Sequence, residues 1–143
     1  MPNRQDVMLA VLAGAGENAS FTPVQVQKLF FLIDRETASL LGGPFFSFTP
    51  YDYGPFDKTV YEELDDLQKQ GLARIDISGR YRHYALTSLG YEKGQQTLSS
   101  FALQMKTFVA NAAKWIRSLN FQELVAAIYK RYPDMKANSI FQP

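Results

Sequence analysis

Four carboxylates, Glu62, Glu63, Asp65 and Asp66, crowd into one short stretch of the chain, a grouping that invites hard-cation binding or paired acid–base chemistry. On a helix, positions this close point around the cylinder and cannot converge on one ion. The single histidine, His83, stands between Arg82 and Tyr84 without a partner at metal-ligand spacing, and reads as a wing or surface residue instead of a ligand or base. Ser20, Ser39, Ser78, Ser99 and Ser139 fall in no nucleophile-elbow pattern. Gly14-Ala15-Gly16 lacks the further glycine and the preceding strand that a phosphate-cradling loop needs. The absence of cysteine excludes disulfides, thiolate zinc sites and cysteine nucleophiles, and suits a reducing, cytoplasmic setting. The expectation is a chain with no catalytic residues, no metal and no cofactor.

Charge carries more information. Residues 1–71 hold five Lys/Arg against ten acids, whereas residues 72–143 hold ten Lys/Arg against four acids. This asymmetry is either a sign of partners or self-association, or simply two solvated faces of one fold. Within the basic half, Arg80, Arg82, His83 and Lys93 form a group interleaved with Tyr81 and Tyr84. It suits a phosphate backbone or the acidic helix of a second subunit, although hairpin tips are also charged for solubility and to blunt edge pairing.

The elements that must position these residues follow from periodicity. Val7, Met8, Val11 and Leu12 form a stripe over residues 4–13, closed by the Gly14–Asn18 segment. Thr22-Pro23 reads as N-cap and first-turn proline of a second helix, with Val26, Leu29, Phe30, Ile33, Thr37 and Leu40 inward and Gly42-Gly43-Pro44 as its stop. Residues 45–55, aromatic and broken by Pro50 and Pro55, are expected to give a short edge strand and a shaped loop. A third helix is expected from Phe56 to Gln70, with Phe56, Val60, Leu64 and Leu67 inward and Gly71 ending it. Alternation over Leu72–Ile77 and again over Tyr81–Thr87, around Ser78-Gly79-Arg80, predicts a β-hairpin.

Helix, helix, helix, hairpin is the order of an α+β winged helix, here with additional C-terminal helices. The spacing predicts one further helix from Ser88 to about Ser118, interrupted around Gly90 and Gly94. Leu98, Phe101, Met105, Phe108, Ala112, Trp115 and Leu119 keep heptad spacing along it. Two readings stay open for this run: packing within the domain, or a homodimer seam through Phe101, Met105, Phe108 and Trp115. A last helix from Phe121 to Tyr132 precedes a tail expected to be loosely ordered. The 143 residues thus divide into a core over 1–95 and a helical extension over 96–143 within a single domain, with no signal-peptide or membrane-span pattern.

In a winged helix the third helix enters the major groove. Here Asp57, Glu62, Glu63, Asp65 and Asp66 oppose a polyanion, with Lys58 the one nearby cation. The expected partner is therefore a protein, met through Tyr51, Tyr53, Asp57, Glu62, Asp65 and Asp66. The alternative is a transcriptional regulator contacting DNA through Lys58, Thr59, Arg80, Arg82, His83 and Lys93.

Val26-Gln27-Lys28-Leu29-Phe30, then Tyr51-Asp52-Tyr53-Gly54-Pro55-Phe56, then Gly71-Leu72 and Tyr84-Ala85-Leu86-Thr87 with Gly90 together resemble the Panacea or SocA-like antitoxin domains and related bacterial winged-helix proteins. The resemblance spans roughly residues 5–95, and Gln-Lys-Leu and Tyr-Gly-Pro are its distinctive elements. It implies non-enzymatic protein binding, either neutralising a toxin or presenting a regulatory target to a protease. Tyr51, Tyr53, Gly54 and Pro55 match its motif, either as partner contacts or as residues that shape the chain beneath the third helix.

Overall fold

A computed structural model describes residues 2–141. Helix α1 (Arg4–Ala13) begins at Asn3, whose side chain accepts from the Asp6 N–H while the Asp6 carboxylate accepts from the Asn3 N–H. The sequence marks a stripe, yet every residue from Val7 to Ala13 is buried. The reason lies in later elements that cover α1 from more than one side.

Strand β1 (Ser20–Phe21) leads into α2 (Pro23–Leu41), capped by Thr22 with Gln25 and closed by Gly42 in the left-handed conformation, φ 83°. Ile33, Thr37 and Leu41 are buried and recur at four-residue steps. Leu40, expected inward, falls off that stripe and is 58% exposed. The aromatic segment that follows is held by Asp34, whose two carboxylate oxygens accept the Phe45 and Phe46 N–H groups. Phe46 and Phe48 then lie against Phe30 and Phe31 of α2.

The stretch expected to be one edge strand is instead a hairpin, β2 (Thr49–Tyr51) and β3 (Gly54–Phe56), in a sheet of its own. Its prolines do not forbid it because Pro50 stands directly opposite Pro55. Two residues without N–H groups fit an antiparallel ladder at a non-hydrogen-bonded pair. Helix α3 (Lys58–Lys69) starts at Lys58 and not at Phe56, because Asp57 serves as its N-cap. Phe56 accordingly stays on β3, half-buried, with its ring against Tyr51 and Tyr61. Val60, Leu64 and Leu67 are the buried residues of α3. Gly71, at φ 77°, turns the chain so that Leu72 donates back to the Leu67 carbonyl.

Strands β4 (Ala73–Ser78) and β5 (Tyr81–Leu86) form the expected hairpin. The sequence does not mark β1, which pairs with the far side of β5 to give the order β1-β5-β4. A two-residue strand is too short to show alternation.

The helix expected over 88–118 is two helices, α4 (Ser88–Ser99) and α5 (Leu103–Ser118), separated at Ser100–Ala102. Gly90 and Gly94 do not interrupt α4; they let it pass close to backbone. A Cβ on Gly90 would lie 1.8 Å from the Leu72 carbonyl oxygen, and one on Gly94 would lie 2.4 Å from that of Leu9. The heptad run is therefore broken, and its residues divide by depth. Phe101 and Met105 are buried in the chain's own core, while Phe108 and Trp115 are partly buried against it. The face that α5 sinks deepest is Val109, Ala113 and Ile116.

Helix α6 (Phe121–Arg131), capped by Asn120 with Glu123, ends in a single 3-10 turn, Pro133–Lys136. The tail is not loose up to residue 141. Ile140 N–H and the Ser139 hydroxyl both donate to the Asp52 carbonyl, and Asn138 donates to that of Pro50. Gln142 and Pro143 lie outside the described residues. The whole is α+β, six helices with two small antiparallel sheets among the described residues, and one buried apolar cluster runs from Val7 to Met135. Among the described residues no helix is long and apolar enough to cross a membrane.

The close approach of α4 to backbone sets an expected outcome. Gly90→Ala and Gly94→Ala should each destabilise the fold by on the order of 2–3 kcal/mol in chemical denaturation, because backbone and not a flexible side chain must give way. Gln96→Ala, on the exposed side of the same helix, should change stability little. Equal stabilities across the three variants would show that α4 does not sit this close.

Candidate functional site

The two sequence elements that stood out, Gln27-Lys28-Leu29 and Tyr53-Gly54-Pro55, meet in space. Gln27 is buried on α2, and its amide Nε2 donates to the Asp57 carbonyl at 2.9 Å while its Oε1 accepts the Asp57 N–H at 3.0 Å. One side chain thus treats the junction of β3 and α3 as a strand neighbour would. Lys28, beside it, is 3% exposed, and its Nζ donates to the Pro55 carbonyl at 3.4 Å. Burial pushes its pKa down to about 7. Gly54 sits at φ 105° over this lysine, and a Cβ there would lie 3.5 Å from Lys28 Cε and 3.3 Å from a Tyr129 ring carbon. Gly54 is favoured here by its positive φ.

The acids of α3 are less free than their sequence suggests. Asp57 caps the helix by accepting the Thr59 N–H at 2.9 Å and uses its other oxygen for the Ser47 N–H at 2.7 Å. Burial raises its pKa, but these two bonds, together with the Thr59 hydroxyl and the Arg4 charge, outweigh burial and hold it below the ordinary value. Glu63 pairs with Arg4 at 3.2 Å, and Arg4 also donates to the Phe45 carbonyl. Asp66 accepts from the Gln5 and Gln70 amides at 2.7 and 2.9 Å. Glu62 and Asp65 remain exposed and outside any ion pair among the described residues, alongside exposed Lys58 and Lys69; Thr59 is half-buried. Three of the five carboxylates, Asp57, Glu63 and Asp66, therefore serve the fold locally.

The basic group also divides. Arg80 and Arg82 are exposed on the β4–β5 hairpin, but strand alternation puts Arg82 on the same face as Tyr84, whose ring stacks on Tyr61 of α3. His83 points to the opposite face. Lys93 lies on α4, a separate element. Burial raises the Tyr61 hydroxyl to about 12, with neighbouring Tyr84 adding to the rise, so this tyrosine pair stays neutral at physiological pH.

The structure instead brings together Tyr53 and His83, two residues that the sequence places in different candidate sets. Both line a groove of about 710 Å³ between the first turn of α2, the outer end of β5 and the start of α6. Its walls are Pro23 and Val24 of α2, Tyr81 of β5 and Leu119, Phe121 and Leu124 around α6, with no Lys, Arg, Asp or Glu lining it. The Tyr53 and Phe121 rings meet edge to face at 5.1 Å, yet both remain exposed, at 40% and 42%, and Tyr81 is 65% exposed. Tyr51 stacks on Phe56 and does not line the groove. Compared with protein-family models, curated proteins and solved structures, the chain matches none.

Sequence reasoning missed Phe121 because, with Leu124, Val125 and Ile128, it falls on the spacing of a buried helical stripe. Only the meeting of α6 with the tip of the β2–β3 hairpin and with β5 leaves its ring at a surface. No periodicity signals that. The hairpin tip is held there by the bonds from Gln27 and Lys28 and by the tail bonds to Asp52.

Lys28 gives this assembly a defined pH dependence. The unfolded chain keeps its lysine proton up to about 10.5, whereas the folded chain loses it near 7. The unfolded state thus binds more protons between these values, so stability should rise with pH from about 7 toward 10.5, and the full cost of burial is present below 7. Lys28→Met keeps the stem and removes the charge. It is expected to be more stable than the parent at pH 7 by on the order of 2 kcal/mol, with the difference shrinking toward pH 10 in denaturant titrations. A variant less stable at pH 7 with an unchanged pH slope would contradict the burial of a chargeable amine.

Proposed function

We propose that this chain is a non-enzymatic, antitoxin-like protein-interaction module of bacterial regulatory type, built on a winged-helix core. The order α1-β1-α2-β2-β3-α3-β4-β5 supports the winged-helix reading, with the β2–β3 hairpin inserted before α3 and β4–β5 as the wing beside it. The observation that carries the function is the groove, an apolar concavity with three exposed aromatic rings, Tyr53, Tyr81 and Phe121, at positions from three elements. Apolar surface left open at this scale marks an interaction site. The resemblance to Panacea and SocA-like antitoxin domains fits this proposal, since its two distinctive elements are the ones that hold the groove's hairpin wall.

A second reading, DNA binding through the wing, is favoured by exposed Arg80 and Arg82 together with the internal pairing of Glu63 and the capping role of Asp57. It leaves the apolar groove without a purpose.

Peptides selected from a random display library on the folded chain separate the two. The interaction module should select apolar peptides whose binding falls about tenfold or more in Phe121→Lys and in Tyr81→Lys, both checked for folding by circular dichroism. It should bind random duplex DNA with almost no salt dependence. A library that yields no Phe121-dependent peptide, together with a steep salt slope that Arg80→Ala and Arg82→Ala reduce, would overturn the interaction reading in favour of the wing.

A further inference from the structure

Strand β5 lies between β1 and β4, but its two edges are not covered equally. Along β4 it is paired from Tyr81 to Leu86, whereas β1 reaches only Tyr84 and Ala85. Thr22 and Pro23 would continue β1 past the remaining residues, but they turn away as the cap and first residue of α2. Tyr81, Arg82 and His83 therefore have a strand neighbour on one side only, and the first and last of the three line the groove.

The ladder fixes which backbone groups are open. The β2–β3 hairpin turns through two residues, Asp52 and Tyr53, and the pair next to its closing pair, Pro50 opposite Pro55, has no N–H to give. In such a hairpin the closing pair is hydrogen-bonded and the next is not. The β4–β5 hairpin turns likewise through Gly79 and Arg80, with Gly79 at φ 63°. The Ser78–Tyr81 and Asp76–His83 pairs then exchange bonds, and Ile77–Arg82 does not. The Arg82 N–H and C=O thus point away from β4, to the side on which Phe21 of β1 meets Tyr84 two residues further along. This unpaired donor and acceptor sit between Tyr81 and His83, two residues that line the apolar groove, and an open strand edge flanked in this way can accept an added strand.

We propose that the groove binds an extended segment of a partner protein by strand addition at Arg82. Alternate apolar side chains of the segment enter beside Tyr53 and Phe121, and an acidic residue of the segment meets the hairpin cations. The last feature rests on charge complementarity: Arg80 and Arg82 are exposed and in none of the ion pairs among the described residues, and no carboxylate lines the groove. A helical ligand satisfies its own backbone and would leave the Arg82 pair unused. This assignment rests on the interaction reading and specifies the form of the partner.

The test uses peptides selected from a random display library on the full chain. Bound to isotope-labelled protein, a selected peptide is expected to slow hydrogen exchange at the Arg82 amide by about tenfold or more, leaving the Leu9 amide in buried α1 unchanged. N-methylation of every second peptide residue should abolish binding, methylation of the intervening residues should be tolerated, and Arg80→Glu should weaken binding. Peptides that depend on Phe121 yet leave Arg82 exchange unchanged and tolerate N-methylation at every position would overturn strand addition while leaving the interaction module standing. Failure of the library to yield any Phe121-dependent peptide would remove both.

Discussion

The paired bonds between the Gln27 amide and the Asp57 backbone hold several separate parts of the chain in register. Asp57 is at once the end of the β2–β3 hairpin, the N-cap of α3 and the acceptor for Ser47 in the aromatic loop. One buried amide on α2 therefore fixes the start of a helix, the exit of a hairpin and the entry of a loop. The half-buried Asp57 N–H is taken by Gln27, and the Asp57 carbonyl accepts both the Gln27 amide and the Val60 N–H of the first turn of α3, so α2 is tied to the helix start itself. Lys28 extends the same contact to Pro55, with its stem under Gly54. From this anchor the hairpin tip reaches α6 through Tyr53 and Phe121, and the tail closes over it through Asp52.

That dependence explains why the fold was largely legible and the groove was not. Helix starts were readable because caps are local: Thr22 with Gln25 and Asn120 with Glu123 declare themselves within three residues. Asp57 was misread as an outward acid because its capping role moves the start of α3 two residues past Phe56. Gly90 and Gly94 looked like interruptions because a glycine required by a neighbour's backbone cannot be told from a helix breaker without that neighbour. The heptad run from Leu98 to Leu119 keeps its spacing across the break at Ser100–Ala102, so periodicity alone could not reveal that Phe101 and Met105 belong to the internal core. The groove needs Pro23, Tyr53, Tyr81 and Phe121, which are brought together only by tertiary structure.

The charges have a different role in the folded chain from the one their spacing suggests. The acidic third helix, prominent in sequence, is in good part structural: Glu63 is held to Arg4, Asp57 closes the helix, and Asp66 gathers two amides from α1 and its own helix end. What lines the groove is apolar and aromatic instead, beside a strand with an unpaired backbone site. Proposals about partners accordingly rest on shape and backbone hydrogen bonding more than on net charge.

Gln27 holds the hairpin and, through it, the wall of the groove. Native-state hydrogen exchange on Gln27→Leu tests it most directly. Amides at Tyr51, Asp57 and Ile140 should lose protection together, while those of Leu9 and Val11 in α1 keep theirs. Unchanged protection at Asp57 and Ile140 in the variant would contradict the claim.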